Sequence, residues 1–128
     1  MFTPNLHAKL QALAVRERMP DDFLSTVERF YDPLADAIAA RRAALNRTVM
    51  IGICGPQGSG KSTIAAFAQL LLADKGFKTV ILSIDDLYLT RAERETLAQE
   101  VHPLLKTRGP PGTHDVALGL KLIDQLIG

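Results

Sequence analysis

One cysteine, no tryptophan, few aromatics and no long apolar run mark this sequence. A single cysteine, Cys54, excludes an internal disulfide, and a reducing compartment is the simplest expectation. Its position at the end of an apolar run predicts a small buried hydrophobe rather than a redox centre. No stretch approaches the roughly 20 apolar residues that span a bilayer. Met1 to Asn5 carries neither the basic nor the apolar region of a secretory signal, so a cytoplasmic protein with no membrane partner is expected. Charge of one sign is also missing. The 15 basic and 14 acidic residues leave a net charge of +1, which gives no case for nucleic acid or an anionic surface as the main partner. Internal repeats and low-complexity segments are absent as well.

What is present suits a packed globular chain: 47% apolar and 23% charged residues over 128 positions, enough for one small domain or part of a larger one. Residues 5–18 place Leu6, Leu10, Leu13 and Val15 near helical spacing, and Met19-Pro20 ends that run. Asp21 or Asp22 can cap a second helix with Phe23, Leu24, Val27, Phe30 and Tyr31 on its apolar side. Asp32-Pro33 reads as a new helix start, with Leu34, Ile38 and Leu45 along one face. Arg41, Arg42 and Arg47 lie near its C-terminal end, where cations suit the helix dipole, and read as a solvated helix end. Residues 1–47 are therefore expected to form an N-terminal helical segment.

The pattern changes at residue 48. Thr48 to Cys54 is a short apolar run with β-branched residues, and Lys78 to Ile84 is another. Each predicts a buried strand of a parallel sheet. Between them lie a glycine-rich turn, a helical run from about Lys61 to Lys75, and Gly76 as a helix C-cap. Strand, loop, helix and strand make one right-handed βαβ unit. Further helices are expected over 91–101 and from about Asp115 to Ile127, the last capped by Asp115 or Thr113. The predicted fold class is thus α/β, a three-layer parallel sheet preceded by N-terminal helices. Two strands do not complete a doubly wound sheet, so residues 48–128 are expected to be the N-terminal part of a longer enzyme domain with only its first βαβ unit present.

The turn Gly55-Pro56-Gln57-Gly58-Ser59-Gly60-Lys61-Ser62 matches G-x-x-x-x-G-K-[ST] at every fixed position. Glycines let the backbone wrap so that successive N–H groups point at phosphate oxygens. A helix beginning near Lys61 directs its positive end at the same anion. Lys61 adds a charge for the β- and γ-phosphates, the Ser62 hydroxyl is the expected Mg²⁺ ligand, and Thr63 extends the polar edge. A chance glycine-rich turn is the bland alternative, and the apolar run before and helix after argue against it. ATP with Mg²⁺ is the expected cofactor pair.

Asp85 and Asp86 end the second apolar run, where ligands gather in open α/β sheets. A carboxylate there can take a proton from a substrate hydroxyl or hold a metal, or it can merely cap the next segment. Tyr88 can line a pocket or simply pack. A turn-rich stretch, Arg108 to Asp115, offers Arg108, Thr113, His114 and Asp115 as polar members. Arg108 can grip a carboxylate or phosphate through its planar fork, and an ordinary turn with a helix cap is the alternative. His7 and His102 have no neighbours in sequence that suggest a site.

Taken together, GPQGSGKST, SIDDLYLT and RGPPGTHD resemble the P-loop small-molecule kinases of the phosphoribulokinase, uridine kinase and pantothenate kinase group. Within that group the chain is most similar to the D-glycerate 3-kinases, a likeness shared by Phe30 to Ala35 and covering roughly residues 25–126. The resemblance implies that Asp85 stands where the group's aspartate activates the acceptor hydroxyl near the metal. It also implies that Tyr88, Arg108, His114 and Asp115 fall in the acceptor region and that the sheet has about five strands; Asp86 is a further substrate-binding candidate with a lesser role, through capping or water-mediated metal contact. The group's later acidic strand, lid and adenine-binding segment would lie outside these residues. The function expected is ATP-dependent phosphorylation of a small-molecule hydroxyl, D-glycerate foremost. Pantothenate or a nucleoside as acceptor, or a nucleotide-binding ATPase module with no acceptor, are the alternatives.

Overall fold

The computed structural model describes residues 2–108 and 112–127, with the side chain of Asp85 outside that description. The chain divides into two compact units, Met1–Ile81 and Leu82–Gly128.

The first unit is a packed set of helices. α1 (Pro4–Arg16) starts at Thr3, whose hydroxyl accepts the Leu6 amide, with Pro4 in the first turn where its missing N–H costs nothing. Leu6, Leu10, Leu13 and Ala14 form its buried stripe. α2 (Phe23–Thr26) runs through a wide π-helical turn (Val27–Tyr31) into α3 (Asp32–Leu45), which ends on Asn46 in the left-handed conformation. Asp32 therefore lies inside a continuing helix rather than capping a new one. α4 (Lys61–Asp74) contributes Phe67, Ala68, Leu71 and Leu72 to the core. The rings of Phe23, Tyr31 and Phe67 meet with centroids 5.3–5.9 Å apart, and burial pushes the Tyr31 phenol pKa up. Full burial of a side chain such as Phe67, Leu10 or Leu71 contributes about 1.5–3 kcal/mol each.

α4 ends as the sequence expects. Gly76 sits at φ 90°, its amide bonded to Ala73 O and the Phe77 amide to Leu72 O, a Schellman pair that occupies two of the helix's last carbonyls. Beside it Lys75 pairs with Asp36 at 2.8 Å and Asp32 at 3.3 Å, tying α3 to α4.

The expected parallel sheet is not there. Among the described residues no strand forms, and 48–54 and 78–83 carry no ladder. A buried parallel strand needs hydrogen-bonding neighbours and cover on both faces. Neither is supplied here, and the apolar side chains of both runs remain at the surface, Met50 at 59% exposure and Val80 at 64%. Cys54, expected to be buried, is exposed for the same reason. Asp85 and Asp86 consequently stand on a short 3-10 turn (Ile84–Leu87) rather than at a strand end.

The second unit holds that turn, α5 (Arg91–Glu100), a 3-10 turn (Pro103–Lys106) and α6 (Val116–Ile127). α5 begins with a capping box: Thr90 Oγ1 accepts the Glu93 amide while Glu93 reaches back to Thr90. His102 Nδ1 accepts the Leu104 amide and so caps the second turn. α6 packs Gly119 against Leu87, where an added Cβ would stand 3.1 Å from Leu87 Cδ1.

Candidate functional site

The glycine-rich loop, residues 55–62, lies wholly in the first unit. The Ser59 amide donates to Pro56 O at 3.1 Å, closing a turn whose third residue, Gly58, adopts φ 79°. Gly60 follows at φ 92°, and α4 begins at the next residue. Both torsions lie in the left-handed region that favours glycine. At Gly55 a Cβ would stand 2.6 Å from Ser59 Oγ, so the first glycine is what lets Ser59 fold over the loop.

Residues 55–60 and Ser62 are exposed, and Lys61 is half-buried. Lys61 Nζ donates to Gly55 O at 2.6 Å and Pro56 O at 3.1 Å, so its ammonium sits over the loop it belongs to. The first amides of α4 have no partner within the helix, and no side chain caps them from Gly60. An anion meeting this surface finds amide donors, a helix N-terminus and a primary ammonium together. The loop residues therefore fit a triphosphate. For Mg²⁺ they offer the exposed Ser62 hydroxyl, which suits a cation that takes most of its oxygens from phosphate and water. No cluster of three or more His, Cys, Asp or Glu side chains able to hold a metal occurs among the described residues.

In the second unit, residues far apart in sequence come together. Tyr88 and His114 form an isolated antiparallel bridge, and their rings stack with centroids 4.3 Å apart. The Leu89 amide donates to Thr113 O at 2.7 Å, and the Asp115 amide donates to Leu87 O. The Arg108 guanidinium lies 5.7 Å from the centroid of the Tyr88 ring. Thr113 is fully buried, and Asp115 Oδ1 accepts the Leu118 amide at 2.9 Å to cap α6. His114 Nε2 is buried and, within the described residues, meets no hydrogen-bond partner. A buried polar nitrogen left without a partner calls for a ligand group or a cost of about 1–3 kcal/mol.

Tyr88, Arg108, His114 and Asp115 are thus assembled around one short bridge. Asp86 is exposed on the neighbouring 3-10 turn, its amide bonded to Ser83 O. The side chain of Asp85 and the turn residues Gly109, Pro110 and Pro111 lie outside the described residues. Sequence reasoning passed over Arg94, whose Nε donates to Leu89 O and whose Nη1 donates to Lys106 O, both at 3.2 Å. The one local signal near it was the T-x-x-E pattern of Thr90 to Glu93, which fixes where α5 starts. An open groove of about 820 Å³ in the first unit, between α1 and the later turns of α4, is lined by none of the candidate site residues.

The chain is 40% identical over 95 residues to the uncharacterized kinase mug58 of Schizosaccharomyces pombe, a match covering 73% of this chain and 34% of that protein. It is 35% identical over 81 residues to the chloroplastic D-glycerate 3-kinase of Arabidopsis thaliana, covering 61% of this chain and 18% of that protein. The chain therefore spans about a third or less of the length of these relatives. No protein-family profile matches it. No solved structure matches it either. In the described residues no helix is long and apolar enough to cross a membrane.

Proposed function

We propose that this chain belongs to an ATP-dependent kinase that phosphorylates a hydroxyl of a small acidic acceptor, D-glycerate foremost. The observation that carries the reading is the phosphate loop running directly into the uncapped start of α4, in a chain similar to two kinases. In this role Gly55 to Thr63 wrap the triphosphate with backbone amides. Lys61 exchanges its bonds to Gly55 O and Pro56 O for phosphate oxygens, and Ser62 is the loop's ligand to Mg²⁺. Mg²⁺, bound with the nucleotide, supplies neutralisation of the charge on the β- and γ-phosphates.

Asp85 is assigned to orient the acceptor hydroxyl and take its proton, and to contact the metal. Phosphoryl transfer has a loose transition state, so this carboxylate acts mainly by positioning. The acidic nature of the acceptor is supported by Arg108, whose fork suits a carboxylate, and by the unpartnered Nε2 of His114 on the same cluster. Tyr88 supplies an apolar wall, Asp115 caps α6 directly after His114, and Asp86 lies at the rim.

The test is ADP release by the full-length protein with D-glycerate, pantothenate and uridine side by side. D-glycerate is expected to give the highest kcat/KM. Equal ATP turnover with and without any acceptor sinks the kinase reading in favour of a nucleotide-binding ATPase module, and preference for pantothenate or uridine sinks the acceptor assignment alone. Within the active enzyme, Asp85→Asn is expected to lower kcat by about 10²- to 10⁴-fold with little change in KM for ATP, and Asp86→Asn much less.

A further inference from the structure

We infer that Arg94 is a positioning residue for the acceptor cluster, an inference that rests on the acceptor reading of Tyr88, Arg108 and His114. One guanidinium joins two chain segments that carry that cluster. Its Nε donates to the carbonyl of Leu89, the residue after Tyr88, and its Nη1 donates to the carbonyl of Lys106, two residues before Arg108. Leu89 is itself bonded through its amide to Thr113 O, the residue before His114. Arg94 therefore has a hand on each limb of the site.

The placement of Arg94 is fixed from behind. Its amide donates to Thr90 O in the first turn of α5, and the Thr90–Glu93 capping box sets where that helix begins. The geometry needs a planar fork with donors diverging toward two carbonyls. A lysine ammonium on a flexible stem can reach one carbonyl well but does not present two fixed donors to two segments. The apolar packing that would otherwise hold these limbs is thin, since α5 buries no residue fully. Losing Arg94 is thus expected to loosen the spacing between Arg108 and the Tyr88–His114 stack without dissolving α5.

The experiment uses the full-length protein with Arg94→Ala, Arg94→Lys and, as a control on the same helix, Arg91→Ala, which removes only the exposed pair with Glu95. Two readouts are taken. Steady-state kinetics with D-glycerate separate KM for the acceptor from KM for ATP. Independently, labelled histidine and tyrosine resonances report the ring-current shift between Tyr88 and His114.

Arg94→Ala is expected to raise the acceptor KM about tenfold, leave KM for ATP unchanged, and lose the His114 ring shift. Arg94→Lys should fall between, and Arg91→Ala should match wild type on both readouts. Wild-type acceptor KM and an intact ring shift in Arg94→Ala overturn the inference, as does a rise in KM for ATP equal to that for the acceptor. If Arg94→Ala does not fold, Arg94→Lys decides: wild-type values on both readouts overturn it. If wild-type protein turns over no acceptor, the kinase reading fails, and the ring shift alone still decides whether Arg94 holds the cluster.

Discussion

The two units are held together by different physics. Among the described residues of Met1–Ile81 ten apolar residues are buried, and they come from α1, the π turn, α3 and α4. In Leu82–Gly128 the described residues that are buried are Thr113 and Gly119, and the unit rests on a capping box, an arginine between two carbonyls, an isolated bridge and an aspartate cap. The phosphate loop is attached to the well-packed unit through α4, whose far turns lie in the core. The acceptor cluster is attached to the polar one. Loops on a rigid scaffold keep their geometry, whereas a segment with few buried apolar contacts opens locally at low cost. The comparison teaches that the loop proposed for the nucleotide and the cluster proposed for the acceptor are carried by scaffolds of unequal packing.

The sharpest way to break this comparison is at the cores. Phe67→Ala is expected to cost about 3–5 kcal/mol in urea unfolding, because Phe67 is fully buried against two other rings. Leu104→Ala in the second unit, where Leu104 is 63% exposed, should stay within about 0.5 kcal/mol. Similar costs for the two would erase the distinction.

The next largest effect concerns function without stability. Lys61→Ala should weaken ATP binding by about 1.5–3 kcal/mol in a titration of the full-length protein, the loss of a charge-assisted contact. Its melting temperature should hardly move, since the two bonds Lys61 makes here are exposed and water can replace them. A large loss of stability with unchanged ATP affinity would make Lys61 a structural staple instead.

Smaller still is the cap of the polar unit. Thr90→Ala should cost about 1 kcal/mol, felt locally as faster amide exchange at Glu93 and Arg94 and not in α4. Protection lost equally in α4 would show that the two units open as one.

The smallest effect is electrostatic. The Asp36 carboxylate, with Asp32 beside it, holds Lys75 above the ordinary lysine value despite partial burial. A raised folded pKa means the contribution is complete below the unfolded value of about 10.4 and fades as pH rises through the folded one. The groups are partly solvated, so Lys75→Met should cost less than about 1 kcal/mol near neutrality. The difference from wild type should vanish in strongly alkaline solution; a gap that persists there would point to packing of the lysine stem rather than charge.

Much of the helical architecture was legible. The Leu6, Leu10, Leu13 spacing and the glycine after Lys75 each encode a helix or its end over a few residues, and the structure places α1 and α4 accordingly. The strands were misread because an apolar β-branched run states only that it would be buried beside partners. Thr48 to Cys54 and Lys78 to Ile84 have no pairing strand among the described residues, and Val80 and Ile84 face solvent. Arg94 was invisible because its partners, Leu89 and Lys106, are main-chain carbonyls, which every residue type possesses equally.

By itself the sequence determined what eight consecutive residues can do. Gly58 and Gly60 are where left-handed torsions occur, Gly55 is where Ser59 needs room, and Lys61 opens the helix. All of this is settled by interactions within a turn or two of the chain. Tertiary structure alone decided what required distant segments to meet. That Tyr88 stacks on His114 and Arg108 lies near the same ring depends on how the second unit closes on itself, and that Lys75 finds Asp32 across 43 positions depends on how α3 and α4 pack within the first. Contacts of that span carry no local propensity, so only the closed chain could specify them.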